Sequence, residues 1–217
     1  MKNKRWIFWV IALANLGALA VYIARIPEAV VPIHYGIDGA ADGWGSKWWL
    51  GLLGIIPVLL LGGYEWYRKW SQNKPRNMAN MKYQDTAVPM ITVMFVAISW
   101  FFATTKGETM EGENFGWVAI VMGMLMVFLS NMFGKISPNR NFGLRIPWTL
   151  KDDDVWRATH RMAGYWGVAG GIVMIASGIA AFRFGYTVSL AGVLVGVLIL
   201  VVPPTIFAYR MYHRIHG

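Results

Sequence analysis

Cysteine is absent from this 217-residue sequence, which excludes disulfides, thiolate-bound zinc and a nucleophilic thiol while leaving the compartment open. Charge is scarce too. Asp, Glu, Lys and Arg make up 14% of the residues, and none lies at the middle of a long apolar run. A charge at the bilayer centre costs about 2.5–3.5 kcal/mol on insertion scales, and proton-coupled transporters and pumps rely on such intramembrane acids and bases. Six uncharged spans therefore speak against a small transporter. Also missing are His-Glu-x-x-His, Gly-x-Ser-x-Gly, a phosphate-cradling P-loop and a dinucleotide fingerprint.

Apolar residues are abundant: 56% of the chain is hydrophobic and it holds 12 Trp. A spanning helix needs about 20 mostly apolar residues. Residues 6–24, 48–67, 88–105, 115–133, 163–182 and 187–207 each supply one. The expected fold is an all-α, polytopic membrane protein with six transmembrane helices. The first run follows Lys2, Lys4 and Arg5 but has no Ala-x-Ala-like site before Arg25, so it reads as a retained helix, not a signal peptide.

Short cytoplasmic loops retain Lys and Arg. Of the 20 basic residues, all except Arg25, Lys47, Lys106 and Arg183 fall on one side of the alternation, and Glu28, Asp38, Asp42, Glu108, Glu111 and Glu113 fall on the other. Both termini are thus expected to be cytoplasmic. The net charge of +9 is largely this topology signal, and no direct nucleic-acid binding is expected. Within one membrane domain, residues 1–85 form a helix pair with a long outer loop (25–47) and a basic inner loop. Residues 86–217 supply four helices and a polar inner segment, 138–166.

That inner segment, PNRNFGLRIPWTLKDDDVWRATHRMAGYW, concentrates the polar chemistry. Pro147 biases Ile146 toward extended backbone. Thr149 and Asp152 form Thr-x-x-Asp, a capping-box-like start in which the Thr149 hydroxyl is expected to accept an early backbone N–H. Asp152, Asp153 and Asp154 suit the positive end of the following helix, and Asp153 lies four residues before Arg157. At fourfold spacing Asp152, Trp156 and His160 share one helix face, with Arg157 and Arg161 on an adjacent ridge.

Two readings fit this pattern. One is a ligand or partner site built from Asn141, Arg145, Thr149, Asp152, Trp156, Arg157 and His160. The other is an anchored loop whose arginines sit at lipid headgroups and whose aspartates cap a helix. An enzymatic or metal-dependent variant of the first would use His160 with Asp152 and Arg145, a His–carboxylate pair able to move protons.

The outer loop, RIPEAVVPIHYGIDGAADGWGSK, is punctuated by Pro and Gly and is too long for a simple connector. Asp38, Asp42 and Gly43 invite comparison with a calcium loop, but an EF-hand needs an oxygen ligand where this chain has Ala40 and a Glu where it has Trp49. His34, Asp38 and Asp42 are the metal-ligand candidates that remain, with hydrogen-bonded turns as the simpler account; no cofactor is expected. Gly167 with Gly171 and Gly192 with Gly196 read as helix-packing GxxxG pairs. Pro203 and Pro204 are expected to bend or end the last helix, leaving a tail with His213 and His216.

Two stretches carry a family resemblance. Pro32-Ile33-His34-Tyr35-Gly36, followed by Gly39, Asp42, Gly43 and Lys47, resembles the N-terminal element of the SdpI family of bacterial membrane immunity proteins. Asn141, Gly143, Arg145, Pro147, Thr149, Trp156 and His160 resemble that family's second characteristic segment. The resemblance implies a multi-pass protein of the bacterial plasma membrane that protects against a membrane-active toxin peptide and holds a transcriptional repressor at the membrane. It implies that the outer loop around Pro32, His34, Asp38, Asp42 and Lys47 faces the toxin. The inner segment with Arg145, Trp156, Arg157 and His160 would face the cytoplasmic partner.

Overall fold

The computed structural model describes residues 5–105, 109 and 112–217. Lys2, Lys4, Lys106, Glu108 and Glu111 lie outside the described residues, as do the side chains of Arg76 and Glu113. In chain order the elements are α1 (Trp6–Arg25), β1 (Val30–Tyr35), β2 (Ala41–Ser46), α2 (Trp49–Ser71), the single turn α3 (Pro75–Met78), α4 (Met81–Thr104), α5 (Gly112–Phe133), the short α6 (Pro147–Lys151), α7 (Asp153–Phe184) and α8 (Tyr186–His216).

Six of these, α1, α2, α4, α5, α7 and α8, are long and apolar enough to cross a membrane. They correspond to the six runs read from the sequence, so the chain is a multi-pass helical membrane protein. Exposed Leu59, Ile179 and Leu198 are the kind of surface that acyl chains cover. Several helices run past their apolar stretch: α4 starts seven residues before residue 88, α7 starts ten residues before residue 163, and α8 continues nine residues beyond residue 207. Those extensions carry the polar site. Pro203 and Pro204 neither end nor detach the last helix, because α8 continues through them to His216; a transmembrane helix tolerates proline where neighbours satisfy the freed carbonyls.

The helices form two groups of three. α1, α2 and α4 pack on one another, α5, α7 and α8 do the same, and α4 meets α5 between them. The boundary drawn at residue 85 from the sequence lies inside α4. In the first group Leu19, Ile23, Ile26, Leu50 and Ala103 make the apolar core, and Asn15 of α1 accepts a hydrogen bond from Ser99 Oγ of α4 at 3.3 Å.

The second group is closed by small residues repeating every seven positions. Gly116, Gly123 and Ser130 on α5 meet Gly178, Gly171 and Gly164 on antiparallel α7, in that order. A Cβ on Gly123 would sit 2.6 Å from the Gly171 carbonyl oxygen, and one on Gly171 would sit 2.7 Å from that of Gly123. A seven-residue period keeps one seam facing its partner along both helices. Of the two expected GxxxG pairs, Gly171 therefore faces α5, while Gly196 packs on Gly170 and Met174 of α7. The turn from α7 to α8 is the single residue Gly185, at φ +90°, where any other residue would be strained.

Alternation of the six helices sends the β1–β2 hairpin to one end of the bundle and both termini, with residues 134–152, to the other. The hairpin is an antiparallel ribbon within the outer loop, an element that the Gly and Pro punctuation left as irregular loop.

Candidate functional site

At the termini end, one buried pair organises the loop before α7. Trp156 is 0% exposed, and its indole Nε1 donates to the Ile136 carbonyl at 2.9 Å. His160, one turn on, stacks on that ring with centroids 4.0 Å apart and planes 18° apart. The His160 Nδ1–H donates to the Trp156 carbonyl at 2.9 Å, which leaves Nε2 as an acceptor, and Nε2 takes the Leu144 backbone N–H at 2.9 Å. Both ring nitrogens are thereby committed in the neutral form. Gly143 lies directly on the ring at φ +118°, and a Cβ there would overlap His160 Nε2.

Further side chains fix the same loop. The Thr149 hydroxyl donates to the Leu144 carbonyl at 2.7 Å and accepts the Ile146 N–H at 3.2 Å. Asn139 Oδ1 accepts from the N–H groups of Asn141 and Phe142 at 2.8 and 2.7 Å. Asn80, fully buried ahead of α4, exchanges two bonds with Ser137: its Nδ2 donates to the carbonyl at 2.9 Å and its Oδ1 accepts the N–H at 2.8 Å. Nothing in the Asn80 neighbourhood of the sequence marks it, since its partner is 57 residues away.

Three local expectations are corrected. The cap of α7 is Asp152, not Thr149: Asp152 Oδ1 accepts from the N–H groups of Asp154 and Val155 at 2.8 and 2.9 Å, because the five-residue α6 takes Thr149 into a separate turn. Arg157 pairs with Asp154 at 2.7 Å rather than with Asp153. His160 makes no contact with Asp152. Instead, the Asp152 carboxylate meets His216 Nε2 from the end of α8 at 2.9 Å. The bonds from Val155, His216 and Asp154 hold the Asp152 carboxyl below the usual carboxylate range. With both nitrogens of His160 occupied and Arg145 exposed, the proton-moving set His160, Asp152 and Arg145 is not assembled.

Charges at this end pair across helices. Glu65 meets Arg5 of the α1 cap at 3.3 Å, and Arg68 meets Asp85 of α4 at 3.2 Å, while Tyr64 donates its hydroxyl to Asp85 at 2.9 Å. The loop surface carries an open cleft of about 320 Å³, lined among others by Trp70, Lys74, Arg140, Asn141 and Asp153. Asn141 donates from Nδ2 to the Tyr67 hydroxyl at 3.1 Å.

At the hairpin end, the ribbon pairs Pro32 with Trp44 and His34 with Gly43, with register shifts on either side of His34. Ile33 and Asp42 are the extra residues, and such bulges re-aim side chains. His34 Nδ1 is bonded to Asp42 Oδ1. Asp38 is spent on the turn, accepting the Ala40 N–H at 3.0 Å. Lys47 Nζ donates to the Ile26 carbonyl at 2.7 Å and ties the ribbon to the end of α1. Among the described residues no group of three or more His, Cys, Asp or Glu is placed to hold a metal, so the His34, Asp38 and Asp42 trio does not converge. Around this polar pair Val30, Ile33, Ile37, Trp44, Trp48 and Trp49 are exposed.

Comparison with known proteins follows these two ends. Residues 135–208, which run from the loop under His160 through α7 into α8, match the SdpI/YfhL protein family. That match takes in about a third of the chain. Residues 10–61, spanning most of α1, the hairpin and the first half of α2, match a domain of unknown function, DUF1648. The chain is 28% identical over 100 residues to "Immunity protein SdpI" of Bacillus subtilis (strain 168), a match covering 46% of each chain. It thus spans about half the length of that curated relative. No solved structure matches.

Proposed function

We propose that this chain is a plasma-membrane immunity protein that protects a bacterium from a membrane-active toxin peptide. The observation that carries the reading is the likeness to a protein named for immunity. The hairpin end supports it: a bulged ribbon with the His34–Asp42 pair at its centre and Ile33, Ile37 and Trp44 exposed around it offers an amphipathic peptide both apolar area and a polar anchor. The excess of Lys and Arg at the termini end puts that end in the cytoplasm by the positive-inside bias. The hairpin then faces outside.

At the cytoplasmic end, Arg157 with Asp153 and Asp154 forms an exposed charged ridge for a regulator, while Thr149, Trp156 and His160 hold the loop beneath it. Toxin binding would reach the regulator only by favouring one helix arrangement over another. The test is expression in a toxin-sensitive bacterium challenged with the secreted peptide. Wild type is expected to raise survival, and a Trp44→Ala, Ile33→Ser double variant to lose that gain while still accumulating in the membrane. No gain from the wild-type chain overturns the reading.

A further inference from the structure

A second cleft, also of about 320 Å³, opens on the other side of the 139–145 loop, between the ends of α2 and α4. Arg140 and Arg145 stand at its rim, both exposed; no acidic residue lines it, and neither arginine has an ion-pair partner among the described residues. Its inner wall includes Gln84, which is 5% exposed and whose Oε1 has no hydrogen-bond partner among the described residues. That oxygen accepts and does not donate, so it makes no bond to a phosphate and only shapes the wall. The remaining walls, Val88 and Phe142, are apolar.

The depth of this cleft in the bilayer is set by aromatic residues. Trp66 and Trp70 are exposed on the last turns of α2, and Trp and Tyr gather at the headgroup level. Tyr67 lies between them in sequence and lines the cleft. Two unpaired guanidinium groups and apolar walls at headgroup depth fit a phosphate whose other substituents are hydrocarbon. The geometry points to a binding site for the phosphate headgroup of an anionic phospholipid, held by Arg140 and Arg145. Arginine suits this ligand because its planar fork binds phosphate oxygens in pairs. The site is independent of the immunity reading.

The test titrates the purified full chain in detergent with phosphatidylglycerol, phosphatidylcholine and, separately, inorganic phosphate, following thermal unfolding. Phosphatidylglycerol is expected to stabilise saturably and phosphatidylcholine not to. Arg140→Gln and Arg145→Gln should each raise the half-saturating lipid concentration about fivefold. Gln84→Glu, which sets a carboxylate against the phosphate, should weaken binding further, and Arg214→Gln should leave it unchanged. Should Gln84→Glu fail to fold, the arginine variants, both at exposed positions, decide alone. Equal stabilisation by the two lipids, or wild-type titrations from both arginine variants, overturns the site. Stabilisation by inorganic phosphate without any by phosphatidylglycerol assigns it to a soluble anion and overturns the lipid.

Discussion

His160 behaves as a peg. Its ring is stacked on Trp156, both nitrogens are bonded to backbone, and Gly143 is pressed against it because only a residue without Cβ fits there. The fourfold spacing of Asp152, Trp156 and His160 was legible in the sequence. That His160 turns to the Leu144 N–H while Asp152 turns to His216 was not, since each bond depends on a segment remote in sequence. Asp152 supplies the prediction at this scale. Its folded carboxyl titrates below the ordinary value of about 3.9, so its stabilising effect is complete above the unfolded pKa and is lost as pH falls through the folded one. Asp152→Ala should lower stability by about 1 kcal/mol at neutral pH, as loss of a helix cap does, and the gap to wild type should close below about pH 4. Thermal unfolding in detergent across that range checks it.

Among the elements, the α5–α7 seam is where sequence and structure inform each other most directly. GxxxG spacing named Gly167 and Gly171 as interfacial, yet the repeat that closes the seam is the seven-residue one, Gly116, Gly123 and Ser130 against Gly178, Gly171 and Gly164. A period can be read from one helix; its partner cannot. In a bilayer, where lipid tails are as apolar as leucine, close backbone approach is itself a main source of association. Gly171→Ala should therefore force α5 from α7 and cost about 1–3 kcal/mol. Gly63→Ala in α2, with nothing within 4 Å of the added carbon, should be neutral or stabilise by up to about 1 kcal/mol. Comparing the two unfolding midpoints separates crowding at a seam from the general effect of replacing glycine. Equal shifts would remove the seam from the account.

For the whole molecule, sidedness joins the proposed function to the fold. The hairpin and the Trp156–His160 loop lie at opposite ends of six alternating helices, and the basic residues favour a cytoplasmic position for the loop. The natural absence of cysteine allows single reporters. Ile37→Cys, at a position 79% exposed on the hairpin, should react with a membrane-impermeant maleimide in intact cells, and Arg214→Cys near the end of α8 only after permeabilisation. The reverse pattern would put the hairpin inside and remove the toxin-facing assignment.

The six spans, the distribution of positive charge and the concentration of polar residues in segment 138–166 were determined by the sequence alone, because hydropathy over a bilayer's thickness and loop charge are local properties. Tertiary structure alone decided the partners: Asn15 with Ser99 across 84 residues, Arg5 with Asp85 across 80, Asp152 with His216 across 64 and Asn80 with Ser137 across 57. A polar side chain in or beside a membrane is stabilised where it finds a hydrogen-bonding partner. Which one it finds is set by how the helices pack, and no local stretch of chain contains that information.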